Sequence, residues 1–513
     1  MRYLHWLAGP LLVCAFGSRA QSRPAAESPT EPAKPSIDPS FTLVAIGDTG
    51  KVTQELYDNA VGVTREIQGA KARPGKAKQR ALVFLGDNFY EYGLSRDAIR
   101  VRERRFRTIY EDLFGDAMKI LATDGCAKDA SPGSDCPAGA VNYVHAVAGN
   151  HDYYSGALSL AGVNVLPTGF SAEGNEYCRV RGLLTPDERQ TLERAAAPEA
   201  PPAEGAPAPA KPSKQSRPWR WRYHFDTPEH EYWPLDSEQP NSPEIHAIFF
   251  DSATIVRAAE NCKGRELKCP PELVDKDEPA NPLSCWRAQA ALCDLGTQLD
   301  TEKSRPSVRW RVFFAHHPFW TVGEHGGYLW SAVEGEAVWN DQCEKAADPQ
   351  GWFKNTQFDP EDECSEGWRW YVRQLTAVMK DRKPFDLAIM GHDHSLQLIQ
   401  PAGKEAQSLA RLQIVSGAGT KTSVVRGPGP RTRPGTHLER VYTAATGTQG
   451  ESRSGFVAVR FYPDSIAVQF FEGWRKIAAA HMAPAAEAKT WEGKTCFKVD
   501  ANGAIDPAAE CQW

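Results

Sequence analysis

A chain of 513 residues, 41% hydrophobic and 24% charged, exceeds one ordinary core and has the composition of a folded globular protein. Its 59 basic and 65 acidic residues leave a formal net charge of -6, which excludes a general affinity for nucleic acid. No stretch is long and apolar enough for a transmembrane helix.

The chain opens with the pattern of a secretion signal. Arg2 supplies a positive start, Leu4 to Phe16 is mostly apolar, and Ser18 and Ala20 place cleavage after Ala20. The expected location is therefore secreted, or periplasmic/extracellular. Cys14 offers a lipid-anchored alternative. Residues 21–40 carry five prolines and read as a disordered tether. An exported chain meets an oxidising environment, so its cysteines are disulfide candidates. Pairing near neighbours gives Cys126–Cys136, Cys262–Cys269, Cys285–Cys293, Cys343–Cys364 and Cys496–Cys511, with Cys178 left over.

Residues 41–484 read as one catalytic domain with insertions near 180–218, 256–283 and 327–365, followed by a cysteine-containing tail over 485–513. Phe41–Ile46 predicts a buried strand, Gly47-Asp48-Thr49-Gly50 a turn, and 53–68 a helix. Leu82–Leu85 predicts a second strand, ended by Gly86 and followed by Asp87 and Tyr90. Ser95 caps a helix expected to reach about Phe114, its arginines on a solvated face among Glu103, Glu111 and Asp112. Tyr143–Ala148 delivers Gly149-Asn150-His151-Asp152. Residues 195–218 are a Pro/Ala/Lys surface loop. Trp219–Phe225 alternates aromatic and basic residues, the period of a half-buried strand. Strands at Ile245–Phe250 and Val308–Ala315 flank the charged 256–283 insertion and a helix over 285–300. The second of these strands runs into His316-His317. Residues 327–365 read as loop overhanging the site. A helix over Trp368–Lys380 leads to a strand at 385–390 and Gly391-His392-Asp393-His394. Strands at 411–415, 455–462 and 465–472 follow, the last two as a hairpin.

The groups at the strand ends are Asp48, Asp87, Tyr90, Asn150, His316, His392 and His394. They suffice for two metal ions. One would take Asp48, Tyr90 and His394, the other Asn150, His316 and His392, with Asp87 shared. Phenolate and carboxylates suit a hard ion such as Fe(III); amide and imidazoles suit a divalent partner. Two ions about 4 Å apart stabilise both the attacking and the leaving oxygen of an in-line displacement and generate hydroxide for attack on a phosphoester. His151, next to Asn150, and His325 are the candidate proton donors to the leaving group.

The motifs Gly47-Asp48-x-Gly50, Gly86-Asp87-Asn88-Phe89-Tyr90, Gly149-Asn150-His151-Asp152, Ala315-His316-His317-Pro318-Phe319-Trp320 with Glu324-His325-Gly326, and Gly391-His392-Asp393-His394 occur in that order. In this the chain resembles a calcineurin-like metallophosphoesterase, and more narrowly the small, tartrate-resistant type of purple acid phosphatase. Tyr90 carries the narrower likeness, because those enzymes have a metal-bound tyrosine whose charge transfer to Fe(III) gives their colour. The resemblance implies an α/β sandwich of two mixed β-sheets flanked by helices, with long loop insertions. It implies Fe(III) on Asp48, Asp87, Tyr90 and His394, and divalent iron, zinc or manganese on Asp87, Asn150, His316 and His392. It gives His151 and His325 substrate-positioning and proton-donating roles, and places His317 beside the metal rather than on it. The expected function is an exported acid phosphatase acting on small-molecule or phosphoprotein monoesters. The alternatives are a phosphodiesterase or nucleotide hydrolase on the same site, or a non-catalytic binding protein. The sequence carries no signal of oligomeric state.

Overall fold

The computed structural model describes residues 39–69, 79–90, 107–125, 142–153, 221–224, 228–236, 239, 241–262, 265–271, 284–326, 328–331, 336–339, 365–401, 408–425, 438–443, 452–462, 465–476 and 496–500, with short strands at 168–169, 179–180 and 505–506. The leader, the tether, the 195–218 loop and most of the 327–365 insertion lie outside the described residues.

Two mixed sheets face each other. The first is built on β1 (Phe41–Ile46), β2 (Arg80–Leu85), β3 (Asn142–Val147) and β4 (Trp221–His224), all parallel neighbours. The second is built on β5 (Glu229–Pro234), β6 (Glu244–Phe249) and β7 (Val308–Ala315). A short hairpin follows, β8 (Tyr328–Ser331) with β9 (Glu336–Trp339). The second sheet resumes with β10 (Leu387–Met390), β11 (Leu396–Pro401), β12 (Gln413–Ser416) and β13 (Leu438–Thr443). Its order is β13-β11-β12-β10-β7-β6-β5, with β6, β7, β10 and β12 parallel. The chain then returns to the first sheet. β14 (Phe456–Phe461) pairs antiparallel with β1, and β15 (Ser465–Glu472) pairs with β14 as the expected hairpin. β16 (Arg475–Lys476) and β17 (Cys496–Asp500) both pair with β15, and β18 (Ile505–Asp506) pairs with β17.

The central strands, such as β1, β2, β10 and β14, are mostly apolar because both faces of each sheet are covered there. In β1, Leu43 and Ala45 join a core shared with Phe249, Val312, Phe314 and Ile389 of the opposite sheet. Their neighbours Val44 and Ile46 point the other way, onto Leu56, Ala60, Val63 and Ile67 of helix α1 (Gln54–Gly69). Helix α2 (Gly115–Gly125) covers the same outer face. On the far side, α3 (Ser252–Ala258), α4 (Cys285–Glu302) and α5 (Glu366–Met379) cover Phe313, Ala388 and Met390. Each of these three helices begins at a side-chain cap, respectively Asp251, Ser284 and Ser365. The result is the expected α/β sandwich of two mixed sheets flanked by helices.

Several local expectations change. Among the described residues the disulfides are Cys262–Cys285 and Cys269–Cys293, so the near-neighbour pairs Cys262–Cys269 and Cys285–Cys293 are corrected. The reason is α4. Two cysteines eight residues apart on one helix stand about 12 Å apart along its axis, beyond the roughly 7 Å that a disulfide spans. Each instead reaches the segment packed beside the helix. The other predicted pairs lie at least partly outside the described residues. The start of the 256–283 insertion is not loop, since α3 and a 3-10 turn at Ala259–Cys262 pack into the core. Of the helix predicted from Ser95 to about Phe114, the part before residue 107 lies outside the described residues, and Arg107–Leu113 is a π-helical segment that precedes α2.

A polar network bridges β5, β6, β7 and the end of α4. Arg311 grips Glu302 through two bonds of 3.0 and 2.8 Å, His246 Nδ1 meets the same carboxylate, and His230 Nδ1 lies 2.8 Å from His246 Nε2. Burial, then the neighbouring His246, pushes His230 down to about 3; burial also lowers His246. Burial opposes the charge of Glu302, but its bonds to His246 and Arg311 hold it at about 2. The unfolded chain takes up these protons first. Stability is therefore present above about pH 6.5 and is lost as pH falls toward 3 through the histidines and toward 2 through the carboxylate. Thermal unfolding across pH 7 to 4 checks this. The midpoint should fall less steeply in His230→Phe than in the wild type, and parallel curves would rule the network out as the source.

Candidate metal centre

The parallel strands of both sheets end at one edge, and the loops beyond them abut. Gly47 N–H donates to the Ser416 carbonyl at 2.7 Å and Gly391 N–H to the His316 carbonyl at 3.0 Å. The turns after β1 and β2 are zipped together: Asp48 N–H bonds Gly86, Gly50 N–H bonds Asp87, and Tyr90 N–H bonds Gly50. Gly86 has φ +92°, and a Cβ there would lie 2.4 Å from His316 Nδ1. Asp48, Asp87 and His392 themselves have φ of 57°, 49° and 66°. Left-handed backbone at non-glycine residues is sparsely populated and gathers at functional sites.

The side chains form two groups. In one, the Tyr90 hydroxyl donates to Asp48 Oδ1 at 2.7 Å and lies 3.0 Å from His394 Nε2. In the other, Asn150 Oδ1 lies 2.8 Å from His316 Nε2 and 3.1 Å from His392 Nδ1, and those two nitrogens are 3.2 Å apart. Asp87 stands between, with Oδ1 3.3 Å from His316 Nε2 and its charge bearing on both Asp48 and Tyr90 of the first group. The seven side chains singled out in the sequence are thus brought together. His151 is at the rim: its N–H donates to Asp87 Oδ1 at 2.9 Å, and its ring stands edge-on to Tyr90 at 4.5 Å. The ring of His325 lies 4.3 Å from that of His392 and 6.0 Å from that of His394. His317 packs against the His392 ring at 4.4 Å, with its Nδ1 3.0 Å from the Ser252 hydroxyl.

The protonation pattern suits a cation. His316 Nδ1 is 2.8 Å from the Leu85 carbonyl, which only accepts, so Nδ1 carries the proton and Nε2 presents its lone pair. Asn150 Oδ1 and Asp87 Oδ1 face that lone pair. Burial opposes the charge of Asp87, but His316 and His151 hold its carboxyl below the usual range. Burial, then the charge of Asp87, pushes Asp48 well up; burial with both carboxylates does the same to the Tyr90 phenol. Burial, then His325, drives His394 down to about 3 and His392 well below its usual value. Electron-rich groups that face each other in a water-poor site are what a bound cation resolves: it would lower the raised Asp48 and Tyr90 and reinforce the unprotonated state of Asp87, His392 and His394. Asp48, Asp87 and His316 present ligand atoms within 4.8 Å of one another and can hold a metal ion.

Three supporting roles were not assigned from the sequence, although Asp152 stood out there as an acidic residue past a strand end. Asp152 accepts from Asn88 N, Phe89 N, Asn88 Nδ2 and Gly149 N, at 2.8–3.1 Å, and so clips the loop after β2 to the loop after β3. Asp393 accepts from Thr321, Ser395 and Ser423, tying the His392 loop to the segment leading to His325. Lys421 lies with Nζ 3.7 Å over the Tyr90 ring. A carboxylate inside a ligand motif was the visible signal for the first two. Nothing in the spacing marks Lys421.

Fold and side chains together define an α/β sandwich with a candidate metal centre at the converging carboxyl ends of its strands. No protein-family model matches the sequence, and no curated protein does. Solved structures that match include GAP50, the anchor in the inner membrane complex of Plasmodium, at 12% identity and TM-score 0.43, covering 86% of this chain and 89% of that one. The purple acid phosphatase PPD1 from yellow lupin seeds matches at 10% identity and TM-score 0.36, over 90% of this chain and 53% of its own. PhoD matches at 10% identity and TM-score 0.38, over 92% and 72%. The chain spans about half the length of the lupin protein. All three TM-scores are low, and the side chains of the site carry the functional reading.

Asp152 gives a test of how the site is held. Asp152→Ala leaves four buried donors without their acceptor and should cost at least about 3 kcal/mol of unfolding free energy. Denaturant unfolding measures this, and a loss below about 1 kcal/mol would show that the two loops hold without the clip.

Proposed function

We infer that the chain is a binuclear metal-dependent phosphoesterase that hydrolyses phosphomonoesters. The observation that carries this reading is the split of the site's side chains into two groups, Asp48/Tyr90/His394 and Asn150/His316/His392, with Asp87 beside His316 of one and bearing electrostatically on Asp48 and Tyr90 of the other. Each group has the donors that would hold one ion, and Asp87 would be available to both. The phenol and two carboxylates favour Fe(III) in the first position; the amide oxygen and imidazoles favour divalent iron, zinc or manganese in the second. When bound, two such ions polarise the phosphoryl group and lower the pKa of water.

The chain's own residues supply the rest. The His316 tautomer, set by the Leu85 carbonyl, keeps a lone pair directed inward. His394, with its proton lost above about pH 3, and the similarly lowered His392 stay neutral and able to ligate in acid. This supports activity at acidic pH. In this reading His151, 27% exposed at the rim, and the half-buried His325 would hand a proton to a leaving alkoxide. Two disulfides beside α4 suit an exported protein, as does the apolar leader.

Metal analysis and a phosphoester panel on natively produced protein test this directly. The expected result is two metals per chain and turnover of monoesters above diesters. Higher activity on diesters would assign the site to a phosphodiesterase, and no turnover across a pH series would favour a binding protein.

Two variants separate the roles. Tyr90→Phe should abolish the visible charge-transfer band of the iron-loaded protein; an unchanged spectrum would remove Tyr90 from the ligand set. His325→Ala should lower kcat by about 10²- to 10⁴-fold with both metals retained. Equal loss of metal would make His325 a structural support instead.

A further inference from the structure

Lys421 is a charged group at the mouth of the site that the chemistry above does not use. It follows β12 and the turn Gly417-Ala418-Gly419. The backbone around it is tied to both neighbouring ligand loops. Gly419 N–H donates to the Gly47 carbonyl at 3.1 Å, the Thr420 hydroxyl to the Asp48 carbonyl at 2.7 Å, and Ser423 N–H to the His394 carbonyl at 2.9 Å. The half-buried side chain lays Nζ over the Tyr90 ring at 3.7 Å, and its charge bears on both Asp48 and His394.

A tyrosine face is a favourable resting place for an ammonium. Unlike a carboxylate, it does not engage the N–H donors in charged hydrogen bonds. Among the described residues no carboxylate lies within salt-bridge distance of Lys421 Nζ. The ammonium therefore keeps donors for an anion arriving beside Tyr90 and His394. The more accessible imidazoles, His151 at 27% and His394 at 15%, stand around the same ring.

The geometry points to Lys421 as an anion-binding residue that holds one oxygen of a phosphoryl group seated in the site and favours dianionic monoesters over monoanionic diesters. This inference rests on the phosphoesterase reading. A monoester has a further ionisable oxygen with a pKa near 6, and a point charge on a flexible stem is suited to following that oxygen.

Calorimetry with orthophosphate on the metal-loaded, full-length protein tests it without requiring turnover. Lys421→Met should weaken orthophosphate binding by about 10- to 100-fold, with metal content unchanged, and Lys421→Arg should recover most of the loss. Where the wild type turns over both ester classes, the Met variant should also lower the monoester-to-diester ratio of kcat/KM, chiefly by raising KM for the monoester. Unchanged orthophosphate affinity in Lys421→Met overturns the proposal. So does a loss of affinity that merely follows loss of metal, and so does a wild type with no affinity for orthophosphate. Failure of the phosphoesterase reading is seen separately, as a metal-loaded wild type that turns over neither ester; the calorimetry then still decides the role of Lys421.

Discussion

The hydrogen bond from His316 Nδ1 to the Leu85 carbonyl joins the end of β7 in one sheet to the end of β2 in the other. Much of the site depends on it. It sets which nitrogen of His316 faces inward. It leaves no room for a side chain at Gly86, where a Cβ would stand 2.4 Å from His316 Nδ1. It also holds the carboxyl ends of two independent sheets at one level, where Gly47–Ser416 and Gly391–His316 backbone bonds reinforce it. A one-residue slip in either sheet would turn every strand-end group to the opposite face.

The arrangement has a local cost. Asp48, Asp87 and His392 occupy left-handed backbone, a strain on the order of 1–3 kcal/mol each. Burial works against the charge of each carboxylate and of each imidazole whose shift is resolved there. Three apolar layers outside the site offset these terms: the core between the sheets and one under each set of helices. Asp152 and Asp393 divide the remaining task, each accepting several donors so that its loop has one arrangement. A site of opposed lone pairs is held open by rigid surroundings rather than by its own contacts.

Legibility followed how local the cause was. The strands at Phe41–Ile46, Val308–Ala315 and Ser465–Glu472 were visible because a strand buried on both faces carries an apolar run, as Val312–Ala315 and Ile466–Val468 do. Glu229–Pro234, Leu396–Pro401 and Leu438–Thr443 were not, since edge and near-edge strands carry polar residues such as Glu229, Gln397 and Glu439 that mask the period. β17 lay in a tail read as outside the domain, yet it pairs with β15 across residues 465–469. The candidate ligands were legible because each lies in a short Gly-, Asp- or His-containing motif just past its strand. Lys421 was not, because it stands in no such motif, and only the packing of its turn on the Asp48 and His394 loops brings it over Tyr90.

By itself, then, the sequence determined which strands are buried and which chemical groups stand at their ends, because both follow from side-chain type and short-range order. It also carried the order of those groups along the chain. Tertiary structure alone decided which of them meet: the division into an Asp48/Tyr90/His394 group and an Asn150/His316/His392 group, the Asp87 position between them, and the lysine over Tyr90. It decided the disulfides as well, because a rigid helix holds Cys285 and Cys293 apart and presents each to a different part of the preceding segment. These are distances between residues hundreds of positions apart, as the 344 between His392 N–H and the Asp48 carboxylate, and they exist only once two sheets are packed in a single register.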